Sequence, residues 1–151
     1  MSNPSDATGM APEFLASARD LEQFVADWES CRLPRSRWTH AAHVAVAAYY
    51  AYLLPPTMAF EAMRSGILRF NECVGIENTD HSGYHETLTR FWSETIGAFV
   101  SAGNFPSVYA AVGEAVKEYG DNRDLHRQFY DHDVVSDSHA RREWIRPNRV
   151  R

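Results

Sequence analysis

Residues 38–54 decide the fold and read WTHAAHVAVAAYYAYLL. This segment contains no Asp, Glu, Lys or Arg, and its apolar side chains would surround a helix on nearly every side. Such a pattern predicts a central helix that other helices enclose. Thr39 is well placed to cap this helix, and Pro55 and Pro56 end it. We therefore expect the other helices to pack around residues 40–54.

Apolar residues recur at helical intervals through most of the remaining chain. They predict an amphipathic helix within residues 13–31 with a break near Asp20, a third helix capped by Thr57, and a fourth opened by Ser82 or Gly83. Shorter helices are expected at 107–119, 124–130 and 138–145. Because no segment has a convincing strand pattern, the sequence predicts an all-α, single-domain helical bundle of about five to seven helices.

Length and composition indicate one domain with an ordinary core. The chain has 151 residues, of which 44% are hydrophobic and 13% aromatic, which is enough to form a core without disulfides or structural metal. We expect a flexible N-terminal tail at 1–12, a single helical domain at 13–146 and a basic, solvated C-terminal tail at 147–151. The net charge of -5 gives no reason to expect a nucleic-acid partner.

The cysteines, the N-terminal residues and the longest apolar run indicate where in the cell the protein is located. Cys31 and Cys73 have no CxxC spacing, which favours reduced thiols. Residues 1–12 lack the charged and apolar regions of a secretory signal, and the apolar run at 44–54 is too short to cross a bilayer. The sequence therefore predicts a cytoplasmic protein with no membrane partner, and it leaves homo-oligomer formation open.

Three histidines suggest a metal site. His40 and His43 lie three residues apart, so their side chains share one face of the central helix. His85 falls on the inward stripe of the predicted fourth helix. Neutral imidazoles held on two rigid helices suit one divalent transition metal such as Zn, Fe or Mn, with positions left open for water or substrate. We expect these three histidines to be the metal ligands.

Polar residues near His85 complete the predicted site. Glu86 is a candidate fourth ligand or general base, although an ion pair with Arg90 four residues on is the alternative. Asn78, Thr79 and Tyr84 are candidates for a polar rim that binds the substrate. These assignments require the starts of the second and fourth helices to lie side by side.

Three functions fit these residues. The leading hypothesis is a metal-dependent enzyme that acts on a small molecule. The alternative is a non-enzymatic helical module that binds a small ligand or a protein, in which each imidazole is hydrogen-bonded to protein beside an apolar space. The third is metal-free acid–base catalysis by His85 and Glu86. The sequence does not choose a substrate or a reaction.

Several short motifs also carry a family likeness. They are Trp38-Thr39-His40-Ala41-Ala42-His43, Asn71, Asn78-Thr79, Gly83-Tyr84-His85-Glu86-Thr87 and Phe91-Trp92. With them, most of residues 21–147 resembles a family of small uncharacterised bacterial all-α proteins. The resemblance implies a bacterial, single-domain helical protein, and it carries over no catalytic residue because the family has no established activity. This chain departs from the family at Asn148, where an acidic residue is expected after Pro147.

Overall fold

The computed structural model describes residues 11–149, which form six α-helices and four short 3-10 helices and contain no strand. The α-helices are α1 (Ala18–Glu29), α2 (His40–Leu53), α3 (Pro56–Cys73), α4 (Glu86–Gly103), α5 (Val108–Tyr119) and α6 (Ser138–Arg142). The 3-10 helices are Glu13–Leu15, Arg35–Arg37, Leu125–Gln128 and Val134–Ser136. The predicted all-α, single-domain bundle is confirmed.

Helix α2 lies at the centre of the bundle, as its composition predicts. It packs against α3, α4 and α5. Ala45, Val46 and Ala48 are fully buried, and their small side chains allow the neighbouring helices to approach closely. No helix among residues 11–149 combines the length and the apolar content needed to cross a membrane.

The predicted helix boundaries are right at some positions and wrong at others. The Thr39 hydroxyl accepts a hydrogen bond from the Ala42 amide at 3.2 Å and so caps α2 as predicted. Thr57 does not cap α3, because α3 already begins at Pro56 and no side chain caps it. Proline fits the first turn of a helix, where its fixed φ suits the helix and its missing N–H is not needed. Asn104 ends α4 in a left-handed conformation with φ of 48°.

The short predicted helices are smaller than expected. The N-terminal segment breaks at 16–17 rather than near Asp20, and Ser17 caps α1 by accepting from the Asp20 amide at 3.0 Å. The segment predicted at 124–130 contains only the 3-10 helix Leu125–Gln128, and the one predicted at 138–145 ends at Arg142. Both lie in a loop-rich region where tertiary contacts rather than apolar periodicity fix the backbone.

A disulfide joins Cys31 and Cys73, so the expectation of reduced thiols is wrong. Cys31 follows α1 in a left-handed conformation with φ of 64°, and Cys73 is the last residue of α3. Helices α1 and α3 pack together and place the two Cα atoms 6.1 Å apart. A separation of 42 residues without a spacing motif gave no sign of this pairing.

The C-terminal segment runs back across the bundle. The Thr87 hydroxyl donates to the Glu143 carbonyl at 2.8 Å and accepts from the Ile145 amide at 3.0 Å. Asn148 and Arg149 are exposed, but both of their amides donate to the Phe129 carbonyl at 3.0 Å. Backbone hydrogen bonds therefore anchor residues 148–149 of the predicted solvated tail. Residues 1–10 of the predicted N-terminal tail, and residues 150–151, lie outside the described range.

Candidate functional site

A cavity of about 740 Å³ lies where the starts of α2 and α4 meet. Helix α3 and residues 123–127 contribute to its walls as well. Ligand cavities in proteins are of this size and are lined by apolar and aromatic groups with a few polar ones. His40, His43 and His85 all line this cavity, so the required juxtaposition of the two helix starts is present.

His40 sits in the first turn of α2 with one ring nitrogen bonded to the backbone. Its Nε2–H donates to the Tyr119 carbonyl at 3.1 Å, and its ring contacts Trp92 edge-on with the centroids 4.8 Å apart. Burial lowers the pKa of His40, although the Tyr119 carbonyl opposes that shift. The neutral ring therefore keeps an unprotonated Nδ1 that can accept a hydrogen bond or bind a metal.

His43 lies one turn further along α2 and uses the opposite nitrogen. Its Nδ1–H donates to the Thr39 carbonyl at 2.9 Å, and its ring lies against Trp38 with the centroids 3.9 Å apart. Burial lowers the pKa of His43 to about 4. The ring is neutral at neutral pH, and Nε2, which makes no hydrogen bond within residues 11–149, presents an open lone pair.

His85 has both ring nitrogens engaged. It is the N-cap of α4, where Nδ1 accepts from the Leu88 amide at 3.1 Å, and Nε2–H donates to the Val134 carbonyl at 2.8 Å. The predicted start at Ser82 or Gly83 is wrong, since α4 begins at Glu86. The side chain of His85 thus fixes the start of α4 against the 3-10 helix Val134–Ser136, and either ring nitrogen must lose a partner before it can bind a metal.

The Glu86 carboxylate is hydrogen-bonded to residues other than the expected partner, Arg90. Its Oε2 accepts from Arg64 Nε at 3.3 Å and from the Tyr84 hydroxyl at 3.2 Å. Arg90, the predicted partner, pairs with Glu94 instead at 3.3 Å. Glu86 does not line the cavity, so its role as ligand or base stays a prediction. The same holds for acid–base catalysis by the pair of His85 and Glu86.

Of the three residues predicted to form a polar rim, one lines the cavity and two do not. Tyr84 lines the cavity, but Asn78 and Thr79 do not. Asn78 Oδ1 accepts from the Asn71 amide group at 3.0 Å and from the Tyr84 backbone amide at 2.9 Å. The Thr79 hydroxyl is hydrogen-bonded to the Ser82 hydroxyl at 2.9 Å. Asn78 and Thr79 therefore build the loop that positions Tyr84, and their role in substrate binding stays a prediction.

A fourth histidine, His126, lines the cavity without having been predicted. It lies on the 3-10 helix Leu125–Gln128 and is only 4% exposed. Neither of its ring nitrogens makes a hydrogen bond of good geometry, although the backbone of Arg123 lies close enough to oppose the lowering of its pKa. Burial lowers the pKa of His126 as well. Its sequence neighbourhood has no motif, and only the way this 3-10 helix packs beside α4 reveals it. Buried polar groups without partners are rare, and at a cavity wall a water molecule or a ligand can supply the missing bond.

The three predicted metal ligands differ in whether a ring nitrogen is free to bind a metal. Within residues 11–149, no group of three or more His, Cys, Asp or Glu side chains could hold a metal ion. Open lone pairs are present on His40 and His43, whereas His85 has none. A site that uses all three histidines therefore stays a prediction, and it requires His85 to exchange a hydrogen bond for the metal.

Comparison with known proteins adds no assignment. Family models, curated proteins and solved structures were all searched, and none matches this chain. The resemblance to a family of bacterial helical proteins therefore stays a prediction. The function has to be inferred from the cavity itself.

Proposed function

We propose that this chain is a helical protein that binds a small organic molecule in the cavity between α2 and α4. The observation that carries the proposal is the combination of the volume of about 740 Å³ with the state of the imidazoles that line it. His40 and His43 each commit one ring nitrogen to the backbone and keep the other free. They serve as fixed, neutral hydrogen-bond acceptors in this proposal.

The lining suits a ligand with an apolar body and a polar end. Trp38 and Trp92 present aromatic surface, and Met63 and Ile67 add aliphatic surface from α3. Burial of apolar ligand area supplies affinity, while the few polar groups orient the ligand. His85 has a structural role in this proposal, because it holds the start of α4 in place.

Occupation of the cavity can be tested by filling it. Ala47 lines the cavity and is 5% exposed, so Ala47→Phe places a ring in the space that a ligand would use. We expect phenylacetate and phenylacetamide to shift the amide NMR resonances of cavity residues in the wild type and not in this variant, whose own spectrum must stay dispersed to show that the buried substitution leaves it folded. The control is Ala98→Phe, at an exposed position of α4. Absence of binding by both probes to the wild type, with no small molecule recovered from natively purified protein, would reject the proposal.

A metal-dependent enzyme is the second candidate, because two imidazole lone pairs one turn apart are free. His40 Nδ1 and His43 Nε2 would be the first ligands, and a bound metal would activate water or polarise a carbonyl group of the substrate. Metal analysis of protein purified without an affinity tag separates the two candidates. Stoichiometric metal that is lost in both His40→Ala and His43→Ala favours the enzyme, and no stoichiometric metal rejects it.

The absence of a nucleic-acid partner and a bacterial source belong to the same proposal, a cytoplasmic location stays a prediction, and oligomeric state is left open. The net charge of -5 supports the absence of nucleic acid. The disulfide between Cys31 and Cys73 opposes a cytoplasmic location, because disulfides persist mainly in oxidising compartments.

A further inference from the structure

We propose that the cavity selects small organic monocarboxylates, whose carboxylate binds Arg123 and His126 while the apolar body lies against Trp38 and Trp92. This inference rests on the proposed function and names the chemical class of its ligand. It follows from three features of the lining, which are its unbalanced charge, an unpaired buried imidazole and its aromatic walls.

The first feature is one positive charge without a counter-charge. Arg123, Asp124 and Arg127 are the Asp, Glu, Lys and Arg side chains that line the cavity. Asp124 pairs with Arg127, with Oδ1 and Nε 3.4 Å apart. Arg123 has no ion pair with a carboxylate in the described part of the chain. With the imidazoles neutral, the lining therefore carries a net charge of +1. A single carboxylate balances this charge.

Arg123 acts on the interior of the cavity. Its charge contributes to the lowered pKa of both His40 and His43, so the guanidinium group lies within electrostatic range of both imidazoles. Asp121 acts on His40 with the opposite sign, but it does not line the cavity. Because a carboxylate cannot donate to the free lone pairs of His40 and His43, we place it beside Arg123 and His126, and the two acceptors face the rest of the ligand.

The second feature is the unpaired imidazole of His126. A neutral imidazole always carries one N–H donor, and the Arg123 backbone near His126 does not give that donor a hydrogen bond of good geometry, which costs free energy. A carboxylate oxygen can accept from His126 while the other oxygen accepts from Arg123, which gives charge-assisted hydrogen bonds. A phosphate monoester would bring close to two negative charges to a lining that balances one.

The third feature is the aromatic surface that Trp38 and Trp92 contribute to the lining. Trp38 is held between Trp28 and His43, with ring centroids 4.7 Å and 3.9 Å away. Trp92 is held by edge-on contacts with His40 and Phe91. Because both indoles are fixed by their neighbours, the parts of them that line the cavity are preformed apolar surface for a ligand.

Calorimetric titration of the full chain with phenylacetate and with its neutral analogue phenylacetamide tests the inference. We expect the wild type to bind phenylacetate about tenfold more tightly, the effect of one hydrogen bond to a charged group. Arg123→Gln should remove this preference, and it should not unfold the protein because Arg123 is exposed. The matched control is Arg19→Gln, an exposed residue of α1 outside the cavity, which should keep the preference.

The outcomes separate this inference from the proposed function. Equal affinities of the wild type for the acid and the amide would overturn the carboxylate assignment and leave ligand binding intact. An unchanged preference in Arg123→Gln would overturn it too, as would binding of phenyl phosphate about tenfold tighter than phenylacetate. Binding of neither phenylacetate nor phenylacetamide would overturn this inference, and it would also reject the proposed function if no small molecule is recovered from natively purified protein.

Discussion

His40, His43 and His85 each donate a ring N–H to a backbone carbonyl, at 3.1, 2.9 and 2.8 Å. Each bond fixes which nitrogen of the neutral ring carries the proton. Nδ1 of His40 and Nε2 of His43 stay open, whereas Nδ1 of His85 caps α4. Chemically equivalent side chains thus acquire different roles from the backbone atoms they contact.

The pH dependence of stability tests the burial of His43. Its pKa is lowered from 6.5 to about 4 in the folded protein, so between these values the unfolded chain binds more protons. Stability from this group is therefore complete above pH 6.5 and is lost as the pH falls to about 4. We expect the unfolding free energy of His43→Gln, measured by urea denaturation, to fall less than that of the wild type as the pH is lowered from 6.5 to about 4.

His81→Gln is the control for His43→Gln, because His81 is an exposed loop histidine outside the cavity. It should leave the pH dependence of the wild type unchanged. His40, His85 and His126 also have lowered pKa values and keep their own contributions in both variants. An NMR titration of the wild type that placed His43 near pH 6.5 would contradict the expectation.

Among the elements, α2 was the most predictable and the start of α4 the least. An uncharged, apolar segment has to be enclosed, and α2 is enclosed by α3, α4 and α5. At α4 the polar loop offered Ser82 and Gly83 as familiar start signals. The cap is His85, whose imidazole takes the place of a Ser or Asp oxygen, and sequence propensities do not anticipate this use.

Close packing between α1 and α3 depends on Gly66. A Cβ atom at this position would collide with the Trp28 indole, which is fully buried. We expect Gly66→Ala to destabilise the protein by about 1–3 kcal/mol in urea denaturation, because overpacking outweighs the better helix propensity of alanine.

Gly97 in α4 provides the matched comparison. A Cβ atom there has no atom within 4 Å, so Gly97→Ala should be neutral or stabilising by about 0.5–1 kcal/mol. Equal effects of the two substitutions would show that Trp28 does not pack against Gly66 as described.

The candidate site was predictable only where it lies on regular helices. The Trp-Thr-His-Ala-Ala-His motif located one wall, and the Tyr84-His85 pair located another. Arg123 and His126 follow α5 in a segment whose only regular element is the 3-10 helix Leu125–Gln128, where apolar periodicity gives no direction for side chains. Tertiary contacts alone bring these two residues to the cavity, so the sequence could not reveal the charged part of the site.

For the whole molecule, the disulfide ties the first helix to the third. The bond between Cys31 and Cys73 spans 42 residues and restricts the unfolded chain. We expect Cys31→Ser with Cys73→Ser to lower the unfolding free energy by about 2–4 kcal/mol, the usual effect of removing a bond that closes a loop of this size.

Reduction of the wild type by dithiothreitol should lower its thermal midpoint by a similar amount to the double substitution. The double variant itself should not respond to dithiothreitol. A response of the double variant, or none from the wild type, would contradict this account of the bond.

The cavity is lined partly by buried core residues and partly by exposed charged residues. Its floor on α2 belongs to the hydrophobic core, with Val44 and Ala47 almost fully buried, whereas Arg123 and Arg127 are exposed. We expect substitutions of the core residues to risk destabilising the fold and substitutions of the two exposed arginines to have little effect on it. Under the proposed function, substitutions of Arg123 and Arg127 would therefore change ligand preference while the core that shapes the cavity is kept.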